Sequence, residues 1–154
     1  MHFDWMLRLL IAAFCGGIIG YERNSHNKPS GVRTHAILAL GSALAMIISQ
    51  YGFEDAAKVD AARLAAQVVS GVGFLGAGII FMRSGGVVGL TTAAGMWTTA
   101  IIGLAIGAGM LDLGIFSALM VCGIQLFFHS KVVRKRIKRD GHELFDDDEE
   151  DEEE

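Results

Sequence analysis

Charged residues divide the first 130 positions of the chain into long apolar blocks. Residues 9–21 carry no charge, nor do residues 34–53 and 64–82, and from residue 84 to residue 130 Asp112 is the sole ionised side chain. An α-helix needs about 20 apolar residues to cross the roughly 30 Å hydrocarbon core of a bilayer. The pattern therefore predicts five spans, at about residues 5–21, 34–53, 61–82, 90–110 and 113–129. The last two come from a single apolar run folded back at "GAGMLDLG". The expected fold is all-α, a polytopic transmembrane helix bundle over residues 1–130, followed by a basic segment at 131–145 and a disordered acidic tail at 146–154.

Within the third block, "SGVGFLGAGIIF" at residues 70–81 contains GxGxxG. A dinucleotide site needs a strand before these glycines, a helix opening after them and an acid about 20 positions on. The next acid is Asp112, and the glycines lie inside an uncharged run. Helix packing in lipid is the better reading. Lipid supplies no hydrophobic drive between helices, so small residues that let backbones approach hold such bundles together. The chain has 20 glycines against one proline. Gly16 and Gly20 form GxxxG in the first span, Gly103 and Gly107 another in the fourth, and Thr92, Gly95, Thr99, Gly103 and Gly107 make one small, weakly polar stripe. Gly71, Gly73, Gly76 and Gly78 are assigned the same packing role.

Charge then orients the bundle. Ten of the 13 Lys and Arg fall on one side if the N-terminus is outside and the C-terminus cytoplasmic, as the positive-inside rule requires. The segment "KVVRKRIKR" after the fifth span supplies six of them. Nine consecutive acids at residues 146–154 turn the total to −4. Such a block repels itself and solvates the tail.

Ionisable groups at membrane depth carry more functional signal than apolar ones. The intramembrane polar residues are Arg8, Arg63, Gln67, Ser70, Thr92 and Thr99. Arg8 is expected to pair with Asp4 one turn earlier, and Arg63, Gln67 and Ser70 share one helix face. The connection between the first two spans holds the densest polar cluster, with Glu22, Arg23, His26, Lys28, Arg33, Thr34 and His35. Here Glu22 is expected to bridge to Arg33 and lock the first two helices together. Three cations crowd any metal set built from Glu22, His26 and His35, so no metal or other cofactor is assigned. "RSGGVVGLTT" reads as a Gly-rich turn feeding a helix, without the lysine of a P-loop. No nucleophile and base stand in a catalytic arrangement, so no enzyme is expected, and no feature points to nucleic acid. The expected surroundings are the lipid bilayer.

"GGIIGYERNSHNKPSGVRTH", "QVVSGVGFLGAGII" and "GLTTAAGMWTTAIIGLAIGAG" together resemble the membrane domain of the bacterial MgtC/SapB family over about residues 8–109. By that resemblance the family motifs fall on Gly20, Glu22 and Arg23, on Gly31, Arg33, Thr34 and His35, on Gln67, Gly71 and residues 73–78, and on residues 89–94 with Trp97. The resemblance implies a multi-pass protein of the bacterial inner membrane, linked to growth at low magnesium. It implies modulation of other membrane proteins, with the F-type ATP synthase or a cation transporter as partner, and a homo-oligomer is a further expectation. Longer members carry a C-terminal ACT-type domain, and the sequence here is expected to correspond to the membrane domain alone. The alternative function is a small ion channel or transporter, its path lined by Arg8, Arg63, Gln67 and the threonines.

Overall fold

A computed structural model describes residues 2–24, 30–53, 60, 62–83 and 86–129. The basic segment, the acidic tail, His26 and Lys28 lie outside the described residues. The fold is an all-α bundle of five helices: α1 (His2–Asn24), α2 (Val32–Tyr51), α3 (Arg63–Ala77), α4 (Leu90–Gly107) and α5 (Leu111–His129). Among the described residues four helices, α1, α2, α4 and α5, are long and apolar enough to cross a membrane.

The third block differs from the expected full span. α3 has 15 residues, about 22 Å at 1.5 Å per residue, less than the hydrocarbon core. Glycine at positions 76 and 78 weakens the helix where it ends, and the β-branched Ile79, Ile80, Val87 and Val88 favour extended chain beyond it. The apolar residues that the pattern had counted as helix enter a short antiparallel hairpin instead. β1 (Phe81–Arg83) pairs with β2 (Gly86–Val88), Phe81 opposite Val88 and Met82 opposite Val87. Gly89 then turns the chain into α4 with φ of 95°, and a Cβ there would overlap the Ile79 carbonyl oxygen. Only glycine combines that backbone with that approach.

α2 is the hub. A Cβ added to Gly16 or Gly20 of α1 would overlap α2 backbone at His35 and at the Gly31–Val32 junction. Gly103 and Gly107 of α4 press against Ala39 and Ala43 in the same way. Ala39 and Ala43 are fully buried, with Ala12, Ile19, Ile102 and Ile106 packed around them. Two GxxxG pairs thus draw α1 and α4 onto a small-residue helix, both meeting it at Ala39, the backbone-close packing that lipid favours. At the far end of α4, Gly109 reverses the chain with φ of 91° and α5 begins two residues later.

The remaining glycines divide. A Cβ added to Gly76 would stand 3.4 Å from the Ala93 side chain, so α3 and α4 approach closely there. Gly71 and Gly73 have no neighbour within 4 Å of where a Cβ would stand, and Gly78 meets only carbonyls of its own helix end. These three do not pack helices within the described bundle: Gly71 and Gly73 stand on either side of the buried Val72–Gly76 line of α3, clear of any neighbour.

Candidate functional site

Polar side chains gather at the two ends of the bundle, each anchored by an arginine of α1. At the first end Asp4 and Arg8 form the expected ion pair at 2.7 Å. Arg8 also donates to the Gly107 carbonyl at 3.0 Å. That carbonyl belongs to the last turn of α4, where the helix leaves acceptors unsatisfied and its dipole favours a cation. Trp5 and Tyr51 stack beside it with ring centroids 5.2 Å apart.

The second end is more buried and draws on four helices. Arg23, from the last turn of α1, is 7% exposed and donates through Nη2 to the Thr92 hydroxyl of α4 at 2.6 Å. His35 of α2 has no exposed surface; its Nδ1 lies 3.2 Å from the Gly31 carbonyl and 3.4 Å from the Ser30 hydroxyl. A carbonyl only accepts, so Nδ1 donates, and in the neutral ring the lone pair sits on Nε2. One turn beyond Thr92, a Cβ on Gly95 would stand 3.8 Å from His35 Nε2 and 3.8 Å from the Gln125 amide nitrogen of α5. Glu22 lies within electrostatic range of both Arg23 and Cys122. Arg23 Nε, His35 Nε2 and Gln125 Oε1 are buried and find no hydrogen-bond partner among the described residues.

The structure thus brings together Glu22, Arg23, His35 and Thr92 from the residues singled out in the sequence. Arg33 and Thr34 are exposed, and among the described residues the ion pair found is Arg8–Asp4, not the expected Glu22–Arg33 bridge. Position 33 starts α2 on a face opposite to His35, so its side chain leaves the bundle while that of Arg23 enters it. The intramembrane set divides likewise. Arg8, Thr92 and Thr99 belong to the bundle interior, with Thr99 donating to the Gly95 carbonyl at 2.8 Å. Arg63, Gln67 and Ser70 share their face of α3 as expected, but that face is exposed.

Gln125 is the member the sequence reading missed. It follows Gly114, Ala118 and Cys122 along α5 at helical spacing. A lone amide closing a small-residue stripe was the available signal.

Among the described residues, four apolar helices of membrane length, with α1 tied to α4 at both ends by arginines, define a multi-pass helical membrane protein. Comparison with known proteins names its family. The MgtC family model matches residues 9–134, and the chain belongs to that family. It is similar to the YhiD protein of Escherichia coli K12, whose name proposes a magnesium transporter, with 47% identity over 87% of this chain and 65% of YhiD. Similarity to SapB of Bacillus subtilis is 42% over 86% of this chain and 59% of that protein, and to MgtC of Brucella abortus 43% over 66% and 41%. The chain therefore spans less than two thirds of the length of these relatives. No solved structure matches it.

Proposed function

We propose that this protein modulates another membrane protein, and that it binds that partner through the exposed face of α3. One observation carries the reading. Arg63, Gln67, Ser70, Gly71 and Phe74 recur at helical spacing, and all are exposed. An amide, a hydroxyl and an unoccupied glycine backbone gain little from lipid tails. They gain hydrogen bonds and close van der Waals contact from a second helix. The groove beside this face, lined by Gly73, Gly76, Ala77, Ala93 and Trp97, offers an apolar seat for such a helix. The family's association with magnesium makes the F-type ATP synthase or a cation transporter of the inner membrane the partner class.

Magnesium transport by the chain itself is the second reading, favoured by the name of the YhiD relative. Against it stand the two arginines at the ends of α1, which repel a divalent cation that needs oxygen ligands and parts reluctantly with water.

Two measurements separate the readings. Photo-crosslinkers at Gln67 and Phe74 in native membranes should capture one inner-membrane protein of this partner class, and the same probes at Phe14 should not. Purified protein in liposomes should give no magnesium flux above empty vesicles. Flux without capture would replace modulation by transport.

A further inference from the structure

We propose that the β1–β2 hairpin is an interfacial membrane anchor, which binds phospholipid at the boundary between headgroups and acyl chains through Phe81, Met82 and Val87. Nothing in this inference depends on what α3 binds.

Both sides of the paired strands are apolar. Met82 and Val87 stand opposite each other in the register and share one side of the ribbon, while Phe81 and Val88 share the other. Met82 is 80% exposed, Phe81 46% and Val87 41%. A two-stranded ribbon is at best marginally stable in water on its own, and among the described residues neither strand packs extensively against a helix. These side chains need an apolar cover from outside the bundle.

The place of the hairpin identifies that cover. α3 leads into it and α4 leaves it, and Gly76 of α3 lies close to Ala93 of α4, so the ribbon projects from the level where both helices stop. α3 has 15 residues and α4 18, about 22 Å and 27 Å of helix, and each falls short of the roughly 30 Å hydrocarbon core. The shortfall of α3, about 8 Å, equals two to three extended residues at about 3.3 Å each. The apolar chain from Ile79 to Met82 therefore fills the last layer of the core. Exposed Leu75 before the hairpin and exposed Leu90 after it continue the same apolar surface onto the helices.

The ribbon cannot lie deeper. Its sheet has two strands only, so each outer edge leaves backbone N–H and C=O groups unpaired, and hydrocarbon does not tolerate such groups facing lipid. At the headgroup boundary, water and phosphate oxygens serve the edges while the apolar side chains reach about 5 to 10 Å toward the acyl chains, as interfacial elements do. Both needs are met at that depth.

Nitroxide EPR reads the depth on the full chain in vesicles of phosphatidylethanolamine and phosphatidylglycerol, with the label on Met82→Cys in a Cys15→Ala, Cys122→Ala background. The label should meet dissolved oxygen and a water-soluble nickel chelate in a ratio that places it about 5 to 10 Å below the phosphates. It should be shallower than a label on Phe14→Cys, an exposed position midway along α1. Nickel access equal to that of a free label would put the hairpin in water and overturn the proposal. Shielding from both reagents, which means a protein cover, overturns it too, as does a depth equal to that at position 14. If the cysteine-free background fails to fold, benzoylphenylalanine at position 82 of the otherwise unmutated chain decides. Irradiation in the same vesicles should add the mass of one phospholipid, and adducts with a second copy, or none, overturn the anchor.

Discussion

Arg23 donates to the Thr92 hydroxyl at 2.6 Å, and the same two helices are joined again at their opposite ends by Arg8 and the Gly107 carbonyl. Positions 8 and 23 of α1 and positions 92 and 107 of α4 are each 15 residues apart, about 22 Å of helix. The two arginines therefore bracket matched lengths of two helices, and both helices press on α2 at their glycines. In lipid, where apolar contact alone cannot fix how far one helix slides along another, such paired polar anchors set the register.

Thr92→Val is the direct test of the Arg23 anchor. Valine keeps the shape and removes the acceptor, leaving a buried guanidinium hydrogen without its partner, at a cost on the order of 1 to 3 kcal/mol. Thr92→Ser keeps the acceptor and should retain most of the stability. Thermal unfolding in one detergent compares the two, and equal Tm values for valine and threonine would show that the contact contributes nothing.

The Arg8 anchor should respond unequally to its two partners. Asp4 is half exposed while Arg8 is largely covered, and exposed ion pairs contribute about 0 to 1 kcal/mol. Asp4→Asn should therefore leave the melting transition almost unmoved. Arg8→Met removes the donor to the end of α4 as well and should lower it clearly. A reversed order would mean that the ion pair, not the helix end, is what Arg8 serves.

The helices were legible because charge interrupts the apolar blocks, and the GxxxG pairs at Gly16, Gly20, Gly103 and Gly107 were legible because close packing in lipid admits few residue types. The hairpin after α3 was not. An apolar strand and an apolar helix share a composition when both lie in or near the membrane, and neither period stands out in "IIFMRSGGVV". The site was half legible. Glu22, Arg23, His35 and Thr92 announced themselves as polar residues at membrane ends, but which arginine turns inward depends on helix phase. A shift of one position at the start of α2 would exchange the places of Arg33 and Thr34 with others. Gln125 was marked only by its place at the end of the Gly114, Ala118 and Cys122 stripe, and it joins the site through the packing of α5.

Helix phase also decides a charge swap. Because Arg33 is exposed and the ion pair found among the described residues is Arg8–Asp4, Glu22→Arg combined with Arg33→Glu should not recover what Glu22→Arg loses. The amount of folded protein in the membrane measures this, and recovery in the double variant would restore the bridge between them.

Topology follows from the charge distribution of the sequence. A reporter inserted between Phe53 and Asp60 should read external, and one fused after residue 130 should read cytoplasmic, since ten of the 13 basic residues then face the cytoplasm. The Arg23 end, with its buried polar cluster, would accordingly face the cytoplasm and the Arg8 end the exterior. Reporters with the opposite readings would exchange the two ends without altering their contacts.

The last prediction uses the division among the glycines to separate folding from partner binding. At Gly103 and Gly107 even a methyl would meet α2 backbone, so Gly103→Leu or Gly107→Leu must drive α4 away from α2. Overpacking of this kind typically costs about 1 to 3 kcal/mol or more, and both variants should melt early and be recovered in low yield. At Gly71 and Gly73 the surrounding space is open, so leucine there leaves the purified protein's Tm unchanged or slightly raised by better helix propensity. It does, however, cover the close-approach surface that a partner helix would use. Gly71→Leu should therefore abolish crosslinking from Gln67 in native membranes while the protein accumulates and melts normally. If crosslinking survives, the glycines of α3 serve no partner. If Gly71→Leu instead unfolds the protein, the exposed face is not exposed in the folded protein, and α3 packs within an assembly of this chain's own copies.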